Sequence, residues 1–454
     1  MAGVAQFQLF GAALPSDAYV LSFAADEAIS TPYRIELRFQ TSEQHLSIRS
    51  LLRTRVVLVV TDSERKTRYF DGAVETAQFA GLVGNHQVFD LELRPTLYAL
   101  AHRADHRIFQ EQSIPDVVKT IFGEAGVEPV RWDLKRTHKP RELIVQYGES
   151  TLGFVSRLLE EAGIFYFFEH EADGCTLRLH DTIEGFEQTG PLLALSPQEG
   201  ERAELIERFS RRRTLKTTTV HLRDYNFKDP RTLPEGAAAK TDNWPKPYFE
   251  YPARSLDPAE LRDLAKVRLA ELRAGADVCQ GETGAIGLKV GHAFTVLGSH
   301  HDGLDGSYIV TKLLSQGLQR NDDAAVNVLC TNWFDGIPYG APFAPARKTS
   351  KPRIRGHQTA FVTGDDKADQ AIYTEAYGRV KIRFHWDRVS QRDSNSSPWP
   401  RHTARAKSAP GSFHGRVRPA CTQSATAASV SASPSGSTST SAPSPPSGST
   451  ITPS

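Results

Sequence analysis

Between Arg141 and Asp181 the hydrophobic period changes from that of a strand to that of a helix and back. Leu143, Val145 and Tyr147 alternate with Ile144, Gln146 and Gly148, which predicts a strand. Leu152, Val155, Leu158, Leu159 and Ala162 then recur at helical spacing, and Arg157, Glu160 and Glu161 fall largely on the other side. Ser150 or Thr151 can cap the first N–H groups of this helix, and Gly163 stands where a left-handed C-terminal cap is wanted. Ile164 to Phe168 is an extended aromatic run, read as core. Asp173-Gly174 signals a turn, and Cys175, Leu177 and Leu179 return as an alternating strand. Glu160 and Glu161 are neighbours, so on a helix they point about 100° apart and are not read as a catalytic carboxylate pair.

The rest of the chain divides by the same signals. Residues 1–100 read as mostly β. Tyr33, Ile35, Leu37 and Phe39 alternate with charged residues. Val56 to Val60 is a continuous apolar run, and strands are also predicted from Phe70 to Phe79 and over Phe89, Leu91 and Leu93. Short polar turns between successive strands suggest a barrel. Residues 101–200 mix helix and strand. Ser113 caps a helix at 114–125, Asp116 assists the cap, and Val117, Val118, Ile121, Phe122 and Ala125 form its buried face up to Gly126. Residues 201–340 form a second β-rich unit. It has a strand at Val220 to Phe227, a Pro-rich and polar stretch at 230–258 read as an extended excursion rather than a folded unit, and a helix marked by Leu261, Leu264, Ala265, Leu269 and Leu272. Strands at 281–297 and Tyr308 to Ser315 follow. Residues 341–353 carry prolines and basic residues with little apolar period, and read as a linker with a domain boundary near 345. A new β unit occupies 354–420, where Thr359, Phe361 and Thr363 alternate, as do Val380, Ile382 and Phe384. From 421 to 454 the composition is dominated by Ser, Thr, Ala and Pro. That segment buries too little apolar surface to offset its chain entropy, and is expected to be disordered.

Composition narrows the function classes. At 39% hydrophobic and 24% charged, the 454 residues can bury sizeable cores. A net charge of +1 gives no global field that argues for nucleic acid or an anionic membrane. Cys175, Cys279, Cys330 and Cys421 are widely spaced, which fits neither a zinc site nor a disulfide framework and suits a reducing cytosol. The N-terminus lacks a signal peptide pattern, and no apolar run approaches the length of a membrane span. Candidate metal ligands are weak. His102 and His106 lie four apart without an acidic or thiol partner at ligand spacing, and His300, His301 and Asp302 sit beside Gly303, Asp305 and Gly306 in what reads as a solvated turn. Arg223 and Asp224 read as solvated strand-end charges. His385 and Asp387 would share a face if their strand continued, but no nucleophile is placed to join them. No catalytic, metal or cofactor residue is assigned.

Several longer motifs carry a resemblance. VQYGES followed by FVSRLLEEAGIFYFFEH, then RIFQEQSIPDVVKTIFGEAG, LRDYNF, VGHAFTVLG and YGRVKIRFHWDR with SNSSPW, resemble the VgrG family in order and spacing. These are the spike-tip proteins of type VI secretion systems, related to the hub and needle proteins of contractile phage tails. The resemblance implies a mainly β fold with α+β elements: phage-hub-like β-barrel domains followed by an OB-fold. After Trp399 the expected closing strands and needle do not follow, so the OB-fold reads as incomplete and the chain as truncated or frameshifted there. By resemblance the protein is a structural spike component and not an enzyme. It would form a homotrimer that docks on the ring protein of the secretion tube, carries an effector or tip-sharpening protein, and meets the target membrane only mechanically. It would be cytoplasmic before assembly and leave with the apparatus. A prophage tail hub is the near alternative. A nucleic-acid-binding OB protein is the distant one, since Lys381, Arg383 and Arg388 accompany aromatics on candidate OB strands.

Overall fold

The computed structural model describes residues 6–186, 188–195, 204–241, 244–299, 301, 303–322, 325–354, 358–363, 381–388, 394 and 414–417. The expected disordered tail at 421–454 and most of the stretch after Trp399 lie outside these residues.

The N-terminal strands are β1 (Gln6–Gly11), β2 (Tyr19–Ala28) and β3 (Thr31–Thr41), then a one-turn helix α1 (Ile48–Leu51), then β4 (Arg55–Thr61), β5 (Thr67–Val83) and β6 (His86–Arg94). They pair in the order β1-β4-β5-β6-β3-β2. The alternation read in the sequence sets which side faces in. Tyr33, Ile35, Leu37 and Phe39 are buried on β3, and Val56, Leu58 and Val60 on β4. The next segment holds β7 (Ala104–Gln112), helix α2 (Ile114–Ala125), β8 (Val130–Asp133), β9 (Arg141–Ser150), helix α3 (Thr151–Ala162), β10 (Phe165–His170) and β11 (Cys175–His180). Both helices are capped as the sequence predicts. Ser113 Oγ accepts the Asp116 N–H and Ser150 Oγ the Gly153 N–H, while Gly126 and Gly163 close the C-termini at φ 67° and 66°.

A second barrel follows: β12 (Leu192–Ala194), β13 (Glu204–Arg213), then after an insertion β17 (Asp277–Thr283), β18 (Ala293–Leu297), β19 (Gly306–Asp322) and β20 (Ala325–Pro338). These six strands form a closed hydrogen-bonded ring, β19-β18-β12-β13-β17-β20 and back to β19. The insertion contains β14 (Thr219–Arg223), β15 (Glu235–Ala239), β16 (Pro247–Glu250) and helix α4 (Pro258–Arg273). Residues 230–258, expected to be an extended excursion rather than part of a folded unit, supply two strands that flank β14, and Val220 and Leu222 pack on Leu261, Ala265 and Leu269 of α4. Short Ala- and Pro-containing strands carry almost no period of their own, and the α4 stripe is what gives them a core. Finally β21 (Gln358–Thr363), β22 (Lys381–Phe384) and β23 (His414–Val417) pair in the order β22-β21-β23.

Sequence order does not separate the two barrels. The β19–β20 hairpin belongs to both: Gly306 to Ile309 pair with β18, and Lys312 to Leu318 pair with β2. A bulge at Thr311 marks the crossing, and its carbonyl accepts the Ile29 N–H at 3.0 Å. The hairpin continues beyond the predicted Tyr308 to Ser315 strand. Gly317 on it lies under aromatic rings, where a Cβ would come within 2.1 Å of Phe23 and 2.5 Å of Phe7.

Candidate functional site: a shared wall, a buried charge cluster and a strap

The aromatic run is the wall between the two cores. Ile164, Tyr166 and Phe168 face the first barrel with Tyr33, Leu177 and Leu179. Phe165 and Phe167 face the second with Phe186, Phe294 and Tyr308. Strand periodicity alternates the sides, and both sides are apolar, so the sequence shows no alternation there at all. Phe167 lies over Gly291 and stacks on His180 at 5.4 Å.

Beside this wall lies a charge cluster whose residues the sequence reading did not single out. Glu27 (β2) and Arg68 (β5) form an ion pair at 2.7 Å with both side chains 5% exposed or less. Arg68 also donates to the Leu288 carbonyl, on the loop leading into β18, so it ties the first barrel to the second. Burial alone would raise the Glu27 pKa. The Arg68 guanidinium and the His170 ring outweigh it and bring the carboxyl down to about 2. His170 Nδ1 accepts the Asp71 N–H at 3.0 Å, and its Nε2 faces Glu27 at 3.5 Å. Burial opposes charge on this ring, while Cys175 and Glu27 favour it and turn the net direction upward. The Asp71 N–H occupies the Nδ1 lone pair, so the geometry holds a proton on Nε2, toward Glu27. Asp71 in turn takes a bidentate Arg55 and lends its carbonyl to Tyr33 Oη at 2.6 Å. The sequence shows no strand pattern over Tyr19–Ala28 and starts the β5 strand at Phe70, so Glu27 and Arg68 fall outside the predicted strands.

The residues weighed as candidate chemistry separate in space. His102 pairs with an exposed Glu75 at 2.7 Å, whereas His106 packs on Tyr147 and Trp386. Among the described residues no three His, Cys, Asp or Glu gather as a metal site. His300 and Asp302 lie outside the described residues, and His301 is exposed in a turn where its N–H bonds Ser299 Oγ. Strand β22 ends at Phe384, so His385 is exposed against Phe361 while Asp387 is buried and accepts the Ser394 hydroxyl at 2.7 Å; the two share no face. Arg388 pairs with Asp105 of the hub at 2.7 Å.

Two expectations are corrected, for Arg157 and Asp224, and the 341–353 stretch gains detail. Arg157, expected on the solvent side of α3, is 3% exposed, because Glu149 and the Val145 carbonyl hold its guanidinium against β9. Asp224, expected to be solvated, is 1% exposed and accepts the N–H groups of Tyr225 and Arg254. It fixes Arg254, a non-glycine residue at φ 67°. The 341–353 linker is an ordered strap. Phe343 enters the second core, Arg347 meets Glu250 and Glu271 on the insertion, the Thr349 hydroxyl and N–H bond Glu160, and Lys351 Nζ lies 3.7 Å from Glu161. Glu160 and Glu161 are thus strap anchors, and Glu161 also receives Arg141 and Arg254.

Comparison with known proteins agrees with this architecture. Residues 26–319 match the family described as phage tail baseplate hub (GPD). The type VI secretion system spike protein VgrG4b of Pseudomonas aeruginosa is 32% identical over 411 residues, covering 86% of this chain and 50% of that protein. VgrG1b of the same organism is 30% identical over 386 residues, covering 83% of this chain and 52% of that protein. The chain therefore spans about half the length of these curated relatives. Among solved structures, the Escherichia coli c3393 protein superposes with a TM-score of 0.63 at 20% identity, over 83% of this chain and 89% of that one. It is described as a type VI secretion component with structural similarity to the bacteriophage T4 tail proteins gp27 and gp5. A family match across both barrels and a shared hub fold agree: this chain belongs to the phage tail baseplate hub family, and VgrG spike proteins are among its sequence relatives.

Proposed function

We propose that the chain acts as the hub of a type VI spike, a mechanical part and not an enzyme. Three copies close head-to-tail into a ring that stacks on the secretion tube and presents an effector or tip protein at its far end. Assembly takes place in the cytoplasm, and the protein leaves with the apparatus when it fires; the target membrane is punctured, not bound. The observation that carries this reading is the construction of the two barrels. They share the β19–β20 hairpin and the Phe165–Phe168 wall, so axial force on one passes to the other through backbone hydrogen bonds and packed rings. The VgrG relatives support the type VI assignment over a prophage tail hub. Engagement of Arg388 by Asp105 supports a structural role for that basic residue over nucleic-acid contact. Light scattering on the purified chain across micromolar concentrations tests the assembly. A mass near three times 50.1 kDa is expected, and a monomer at every concentration would overturn the ring.

A further inference from the structure

We propose that residues 346–353 form an electrostatic latch that holds the OB strands on the hub and opens without unfolding the hub. Up to Pro345 the strap is anchored by apolar contact, with Phe343 in the second core and Ala344 buried. Past that point no side chain through Arg353 joins a described hydrophobic core. Pro345 and Pro352 lack N–H groups, and the Lys348 N–H bonds Ala346 within the strap itself, so no strand ladder ties this stretch to its neighbours. What holds it is four glutamates on two bodies: Glu250 and Glu271 on the insertion, Glu160 and Glu161 on α3. The ion-paired side chains are 7–27% exposed, so salt reaches each pair but screens it less than a fully exposed one. Together they set where the next domain begins.

That placement matters because the OB docking surface is small. Ala360, Ile382 and Phe384 cover Ile108 and Val145 of the β7–β9 ribbon, edged by Tyr147 and Trp386. The Gln358 side chain donates to Tyr147 Oη, and Arg388 reaches Asp105. A surface of this size gains from the raised effective concentration that a pinned strap provides, and loses that gain when the strap swings free. Opening the latch would uncover Ile108, Val145 and Tyr147 while both barrels keep their own cores.

Hydrogen exchange on the full chain tests this. Arg347→Ala, Thr349→Ala and Lys351→Ala together remove the side-chain contacts of the strap, leaving the Arg347 and Thr349 N–H bonds to Glu271 and Glu160, and Glu250, Glu271 and Glu161 keep Arg268, Arg141 and Arg254 as partners. Exchange across 346–354 is expected to speed by about tenfold and across 143–147 by about threefold, with α3 and β3 unchanged. Raising sodium chloride from about 50 to about 500 mM should move the unaltered chain in the same direction. Unchanged exchange in the strap would overturn the latch. Faster exchange in the strap alone would overturn its coupling to the OB strands, and acceleration throughout the hub would show the strap to be part of the core. Insensitivity to salt would overturn the electrostatic character.

Discussion

The two barrels reach closure by different means. The second is a complete ring of six strands around an aromatic core of Phe294, Tyr308 and Phe334, with every neighbouring strand paired through its backbone. Among the described residues no strand pairing joins β1 to β19 in the first. There Gln319 Oε1 accepts the Phe7 N–H at 2.8 Å, and inside the fold Arg68 of β5 joins Glu27 of β2 and the Leu288 carbonyl. A ladder specifies closure by geometry alone, because each N–H finds its carbonyl. A seam made by side chains depends on a few identities, here Gln319, while the interior of the same barrel holds a charge pair that losing one partner would leave unbalanced.

The largest effect should come from the wall that both barrels use. Phe167→Ala empties a fully buried ring site and is expected to cost about 3–5 kcal/mol. Chemical denaturation should show one transition moving, since the same strand walls both cores. Two separate transitions would break the shared-wall account.

Glu27→Gln sharpens the contrast between a core of apolar side chains and one that holds a charge pair. It keeps the shape but leaves Arg68 buried without its counter-charge, for an expected loss of about 3 kcal/mol near neutral pH. Because the folded Glu27 pKa is depressed to about 2, its stabilisation is full above the ordinary carboxyl range and is lost as pH falls toward 2. The gap between the two proteins in urea midpoint should therefore close between about pH 4.5 and 2. A gap that stays constant across that window would show that the charge is not what matters.

The smallest effect is expected where strands β21 and β22 meet the hub. Arg388→Ala removes an exposed pair with Asp105 and should change stability by no more than about 0.5 kcal/mol, read as the unfolding midpoint of the full chain. A loss comparable to that of Glu27→Gln would mean that these strands are integral to the hub rather than docked on it.

Most of the fold was legible in the sequence where one face of an element is apolar and the other polar. Strands β3, β6 and β9, the capped helices α2 and α3 and the stripe of α4 all appear at their predicted places, because burial of one face imposes a period. Strand β13, Glu204–Arg213, with three consecutive arginines at its end, carried no such period and was not foreseen. The candidate site was less legible. The period shows Glu160 and Glu161 only as neighbours on a helix; their contacts with the strap need partners 189 and 190 residues away, Thr349 and Lys351.

By itself, then, the sequence determined the β-rich class, the helix limits and, through motif order, the family, all of which follow from local periodicity, caps and residue spacing. Tertiary structure alone decided that Phe165 and Phe167 face one core while Tyr166 and Phe168 face the other, that one hairpin closes two barrels, and that Glu27, Arg68, Arg157 and Asp224 are buried. The reason is physical. A period reports how one element meets water, whereas a buried charge or a two-sided wall is set by what arrives from distant parts of the chain.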